Sequence, residues 1–155
     1  MSQRTDERES TRVELDAYNK ALKLSDHTLS VCKPKETNVN NKHIAKRHIS
    51  LGHKLEDLVV EIGADVLEAN EIYVNSNLNV ETRKKNLRDR IKLQNHALKQ
   101  TYRMEHIIRT LHYNRPFADS TITYWMNLLV ETRKLIKAWR DGDIKTLSQI
   151  KQGMC

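Results

Sequence analysis

Residues 79–114, NVETRKKNLRDRIKLQNHALKQTYRMEHIIRTLHYN, run on without a glycine or a proline. They hold nine Lys and Arg (Arg83, Lys84, Lys85, Arg88, Arg90, Lys92, Lys99, Arg103, Arg109) against three acids (Glu81, Asp89, Glu105), a net +6 in a chain whose total is +7. Apolar residues recur at helical spacing at Leu87, Ile91, Leu98, Met104, Ile108 and Leu111, which predicts one helix of about 50 Å at 1.5 Å per residue. Such a helix must bury its apolar side against other helices and leaves a basic side over.

Downstream, Asn114-Arg115-Pro116-Phe117 should end that helix, because the residue before a proline is pushed out of helical geometry. Asp119 or Ser120 is then placed to cap a fourth helix with Ile122, Trp125, Met126, Leu129, Ile136 and Trp139 on its apolar stripe. Asp141-Gly142-Asp143 reads as its stop. Ile144, Leu147 and Ile150 follow at three-residue steps, so residues 141–155 form a short C-terminal extension.

Upstream, an Asn-Ser-Asn turn at 75–77 leads back to a second helix, whose Leu51, Leu55, Leu58, Ile62, Val66, Ala69 and Tyr73 step by three and four. Its other side is acidic, with Glu56, Asp57, Glu61, Asp65, Glu68 and Glu71 against Lys54. Gly52 and Gly63 would let a neighbouring helix come close. The start falls between Lys42 and Ser50, after a basic, Asn-rich loop from Lys33 to about His48. Before it, Thr11-Arg-Val-Glu14 fits a capping box opening a first helix, with Val13, Ala17, Ala21, Leu24 and Thr28 on one stripe and Tyr18, Leu22 and Leu29 beside it. Pro34 ends that helix near Val31 or Cys32. Residues 1–10 are polar without apolar period and read as a flexible tail.

Four glycines and two prolines in 155 residues leave little turn chemistry for a sheet. The fold class is all-α, an antiparallel up-down-up-down four-helix bundle over residues 11–140. Cys32 and Cys155 match no metal-ligand spacing and fit a reduced, cytoplasmic protein. The polar start is no signal peptide, and no apolar run reaches the roughly 20 residues that span a bilayer.

Catalytic motifs are lacking: there is no Glu-x-x-His of carboxylate-bridged metal bundles, no nucleophile elbow and no phosphate-cradling glycine loop. Glu61, Asp65 and Glu68 form a ladder better read as a solvated face, or as salt bridges to the basic helix, than as a metal site. His43, His48 and His53 fall on different sides of a helix. Glu105 and His106 are adjacent and point apart. A non-catalytic binding or scaffolding role with no cofactor follows.

A pI near 9.5 points to a polyanionic partner. Arg83, Lys84, Lys85, Arg88, Lys92 and Lys99 would form a stripe tracking phosphates, with Lys42, Lys46 and Arg47 a second basic surface. Tyr102, Tyr113 and His106 could stack on bases, although aromatic residues at helical spacing weigh toward core. If the acidic second helix lies beside the basic one, part of the +6 is neutralised within the subunit. The alternative is a self-assembling structural bundle whose basic helices pair with the acidic helices of neighbours.

Two segments carry a family likeness. Ile44-Ala-Lys-Arg-His-Ile-Ser-Leu51-Gly52-His-Lys-Leu55 resembles the start of the second helix in the bacterial four-helix-bundle family of ribosomal-RNA intervening-sequence proteins and the accessory variability protein (Avd) of diversity-generating retroelements. Ala45 stands where that family usually has proline. Leu128-Leu-Val-Glu131-Thr-Arg133-Lys-Leu135-Ile-Lys-Ala-Trp139 resembles its fourth-helix pattern. The resemblance implies a cytoplasmic, bacterial or phage-encoded accessory protein that assembles as a barrel-like homopentamer, binds a reverse transcriptase and contacts its template RNA. Mutagenic cDNA synthesis would then be the partner's chemistry. The long basic third helix favours the retroelement branch over the intervening-sequence one.

Overall fold

The structure, a computed structural model, describes residues 2–32, 42–114 and 117–153, with side chains over 15–32, 49–114 and 117–153. It consists of α1 (Ser2–Cys32), α2 (Lys42–Glu71), α3 (Val80–Tyr113) and α4 (Asp119–Lys151), and the described residues include no strand. Each helix packs on two others: α1 on α2 and α4, α3 on α2 and α4. The four therefore stand in a ring around one core.

Cross-helix contacts give the directions. Asp65 of α2 meets His96 of α3 while Glu61 meets Gln100, and Arg133 of α4 meets Glu105 while Arg140 meets Asn95. Between α1 and α4 His27 meets Tyr124 while Lys20 meets Glu131. In these three seams residue numbers rise along one helix as they fall along the other, which makes the neighbours antiparallel and so sets α1 antiparallel to α2 as well. Cys32, at the end of α1, lies against Gly52, near the start of α2. This is the all-α, four-helix bundle that the amphipathic periods predict.

The core takes Ala17, Ala21 and Leu24 from α1 and Leu55, Val59, Ile62, Val66 and Ala69 from α2. From α3 it takes Leu87, Met104, Ile108 and Leu111, and from α4 Ile122, Trp125, Leu129 and Ile136. Burying each large aliphatic side chain contributes about 1.5–3 kcal/mol. Trp125, fully buried, donates its indole N–H to Thr28 Oγ1 at 2.9 Å. Thr28 in turn donates to the Leu24 carbonyl at 2.7 Å, so neither buried polar group is left unpaired.

Several boundaries differ from the sequence reading. α1 starts at Ser2 instead of Thr11. Once a helix is nucleated, each further residue adds a bond at little cost, and residues 2–10 hold no glycine or proline to stop it. α4 runs through Asp141-Gly142-Asp143 to Lys151, so the expected extension is mostly the last turns of α4. Gly142 costs about 1 kcal/mol in a helix interior. Asp143 and Ile150 beyond it are both buried and hold the helix on the body. The N-cap of α4 is Ala118, whose methyl offers no acceptor, so there is no side-chain cap; Asp119 is the first helical residue and its carboxylate lies 3.0 Å from His112 Nε2.

At the start of α3, by contrast, the Asn79 side chain accepts from the Glu81 amide at 2.9 Å. Gly63 has no neighbour within 4 Å of where a Cβ would stand, so only Gly52 of the two expected close-approach glycines lies against another helix. The segment 33–41, with most of the predicted loop, lies outside the described residues.

Candidate nucleic-acid interface

Helical phase decides which α3 cations reach solvent. At about 100° per residue, Lys85, Arg88, Lys92, Lys99 and Arg103 fall within an arc of about 60°. Buried Leu87, Gln94, Ala97, Thr101, Met104 and Ile108 centre on the opposite side. The five cations are all exposed and extend over about 27 Å of helix.

The flanks of α3 are closed by polar pairs that do not draw on this face. Toward α2, His96 Nδ1 lies 2.6 Å from Asp65 Oδ2, and Gln100 Nε2 donates to Glu61 Oε2. The acidic helix thus spends Glu61 and Asp65 on a histidine and an amide. Toward α4, Arg133 donates to Glu105 Oε1 at 3.1 Å and to Thr101 Oγ1 at 3.1 Å. Arg140 Nη1 donates to Asn95 Oδ1 at 3.0 Å. Lys85 meets Asp89 at 3.7 Å, with its own side chain 75% exposed. Among the described residues Arg88, Lys92, Lys99 and Arg103 form no ion pair.

Not every predicted residue joins the stripe. Arg83 is partly buried and donates its Nε to the Val74 carbonyl at 3.1 Å, which ties the α2–α3 turn to α3. Lys84 pairs with Glu81 at 3.3 Å and is only 21% exposed. Lys42, Lys46 and Arg47 fall in the first turns of α2, and their side chains lie outside the described residues. Arg90, counted in the basic total, faces the core and forks onto Asp143, with Nε–Oδ2 at 2.7 Å. Gln94 donates to the same carboxylate at 2.7 Å.

Arg103 escaped the sequence reading of the stripe, although its place four residues after Lys99 puts it on the same side. Tyr102, Tyr113 and His106, weighed toward core, are exposed instead. Tyr102 carries Arg133 over its ring at 4.0 Å from the centroid.

Beside the stripe, an open groove of about 730 Å³ runs between α2 and α3, with Leu58, Ile107 and Tyr102 among its lining and Lys54, Lys99 and Arg103 about it. Cys32 is the free cysteine among the described residues. Burial, with Glu56 nearby, pushes the Cys32 thiol up to about 11 and keeps it protonated at neutral pH.

The chain matches no protein-family model, no curated protein and no solved structure. No helix among the described residues is long and apolar enough to cross a membrane.

Proposed function

We propose that the protein is a non-catalytic, RNA-binding accessory subunit that works beside a reverse transcriptase, as in a diversity-generating retroelement, and supports mutagenic cDNA synthesis. One observation carries the RNA-binding part: five exposed cations share one face of α3, directly away from the core, and four of them have no ion-pair partner among the described residues. A row of this kind neutralises phosphates in succession and gains affinity by counterion release. It contacts backbone and not base edges, so it binds with little regard to sequence.

The polymerase partner rests on the resemblance at residues 44–55 and 128–139. Self-association into the homopentamer that the resemblance implies is supported by Leu15, Leu22 and Leu29, exposed at seven-residue steps on α1, and by Val60 and Leu67, exposed at the same step on α2. Apolar residues at that spacing share one side of a helix. Light scattering on Leu22→Glu with Leu29→Glu should show a smaller particle than the unmodified chain.

The central test replaces Lys85, Arg88 and Lys92 together by Glu and follows RNA affinity as a function of salt. Weaker binding with a shallower salt slope is expected, and unchanged binding would remove this face from the proposal. Whether a reverse transcriptase encoded by a neighbouring gene co-purifies with the chain tests the partner separately.

A further inference from the structure

The groove beside the stripe differs from the stripe in kind. Phosphates want cations and gain nothing from hydrocarbon, yet Leu58 and Ile107, both packed on the core, line it together with the Tyr102 ring. Its volume of about 730 Å³ lies within the ~300–1,000 Å³ common to small-ligand sites. Lys54, Lys99 and Arg103 are among its lining residues against a single carboxylate, Asp57. Lys99 and Arg103 also belong to the stripe, so a strand following the stripe passes the groove.

Tyr102 is held before anything binds. The Arg133 guanidinium covers one ring face at 4.0 Å from the centroid, and Arg133 is itself fixed by Glu105 Oε1, Thr101 Oγ1 and the Thr101 carbonyl at 3.1–3.2 Å. The tyrosine still stands 56% exposed. A ring braced from behind and open in front offers a flat platform whose ordering cost is already met by the fold.

We infer that this groove takes an unstacked nucleobase from single-stranded RNA, with Tyr102 as its stacking surface and Lys99 and Arg103 on the flanking phosphates. The inference rests on the RNA-binding reading above and narrows it to unpaired RNA. In an A-form duplex the bases are paired and stacked inside, and only phosphates and 2′-hydroxyls would reach this face. Aromatic stacking tolerates any base, because each has a π face.

The test compares an oligoadenylate strand with a blunt RNA duplex of equal strand length, against the unmodified protein, Tyr102→Ala, Tyr102→Phe and the Lys85/Arg88/Lys92→Glu variant. Tyr102→Ala should lose roughly tenfold in affinity for the single strand, leave duplex binding alone and keep the salt slope. Tyr102→Phe should bind as the unmodified chain does, and circular dichroism of both variants should show an intact bundle. In the unmodified protein, 2-aminopurine placed within the strand should be quenched on binding, and the quenching should disappear in Tyr102→Ala.

If Tyr102→Ala weakens both RNAs equally, or neither, while the triple variant weakens both, the platform is wrong and the stripe stands. ATP displacing the strand at an affinity equal to the strand's own would also overturn it, making the groove a free-nucleotide pocket. Failure of the unmodified protein to bind either RNA would sink the proposed function itself.

Discussion

Arg88 and Arg90 stand two residues apart on α3 and meet opposite surroundings. Arg88 is in solvent on the stripe. Arg90, about 200° further round the helix, is 3% exposed, forked onto Asp143 and seated 5.3 Å from the centre of the Trp139 ring. One charge is available to a partner; the other is part of the core. A buried pair like the second is costly to desolvate, and its loss hurts mainly by leaving the surviving charge alone. The comparison teaches that what a cation on this helix can do depends on its angle to the core and not on how many cations surround it.

The hardest blow to that contrast is Asp143→Ala, which takes away the buried carboxylate that both Arg90 and Gln94 donate to and should cost about 3–5 kcal/mol in chemical unfolding. Replacing both partners by apolar residues, Arg90→Met with Asp143→Leu, should recover most of that loss. A loss under about 1 kcal/mol in the single variant would mean that the seating of Arg90 does not depend on this carboxylate. Next in size is the triple Glu variant of the stripe, expected to lower RNA affinity about a hundredfold at low salt and to flatten the salt slope by about two. Its melting temperature should stay close to that of the unmodified chain, since these side chains touch no core.

Gly142→Ala tests the same α4 segment from the other direction. Nothing lies within 4 Å of the added methyl, so the variant should gain about 1 kcal/mol of stability, read from the unfolding midpoint. Smallest is Lys85→Gln, which loosens the exposed pair with Asp89. Its effect on unfolding should stay under about 0.5 kcal/mol, and a larger loss would show that the stripe has a structural duty as well.

The helices of this bundle were legible because their apolar periods are regular. α3 has its caps at Asn79 and Asn114, the two asparagines that bound the basic stretch. What periodicity could not reveal is polar residues used as core. Arg90, Gln94, Gln100 and Thr101 are buried on α3; Thr101 donates to the Leu98 carbonyl of its own helix, whereas Arg90, Gln94 and Gln100 meet carboxylates more than thirty residues away, Asp143 and Glu61. For the same reason Asp141-Gly142-Asp143 looks like a stop, although its second aspartate anchors the helix.

The candidate site was half legible. Lys85, Arg88, Lys92 and Lys99 follow from spacing, whereas Arg83 and Lys84 are claimed by the Val74 carbonyl and Glu81, contacts that depend on how the turn folds. The fourth-helix segment behind the family likeness turns out to work on the bundle itself. Glu131 accepts Lys20 at 2.6 Å, a contact that holds its carboxyl below the usual range, and Trp139 lies under Arg90.

Both tryptophans of the chain sit on α4, about 21 Å apart along the helix, in unlike surroundings. Trp125 is hydrogen-bonded to α1, while Trp139 has a guanidinium cation at its ring. Their intrinsic fluorescence therefore supplies two optical reporters, one for each half of the bundle, that Trp125→Phe and Trp139→Phe would separate. If the bundle melts as one cooperative unit, the two emission curves coincide. If the end built around Arg90 and Asp143 lets go first, the Trp139 signal moves while Trp125 still reports a folded core.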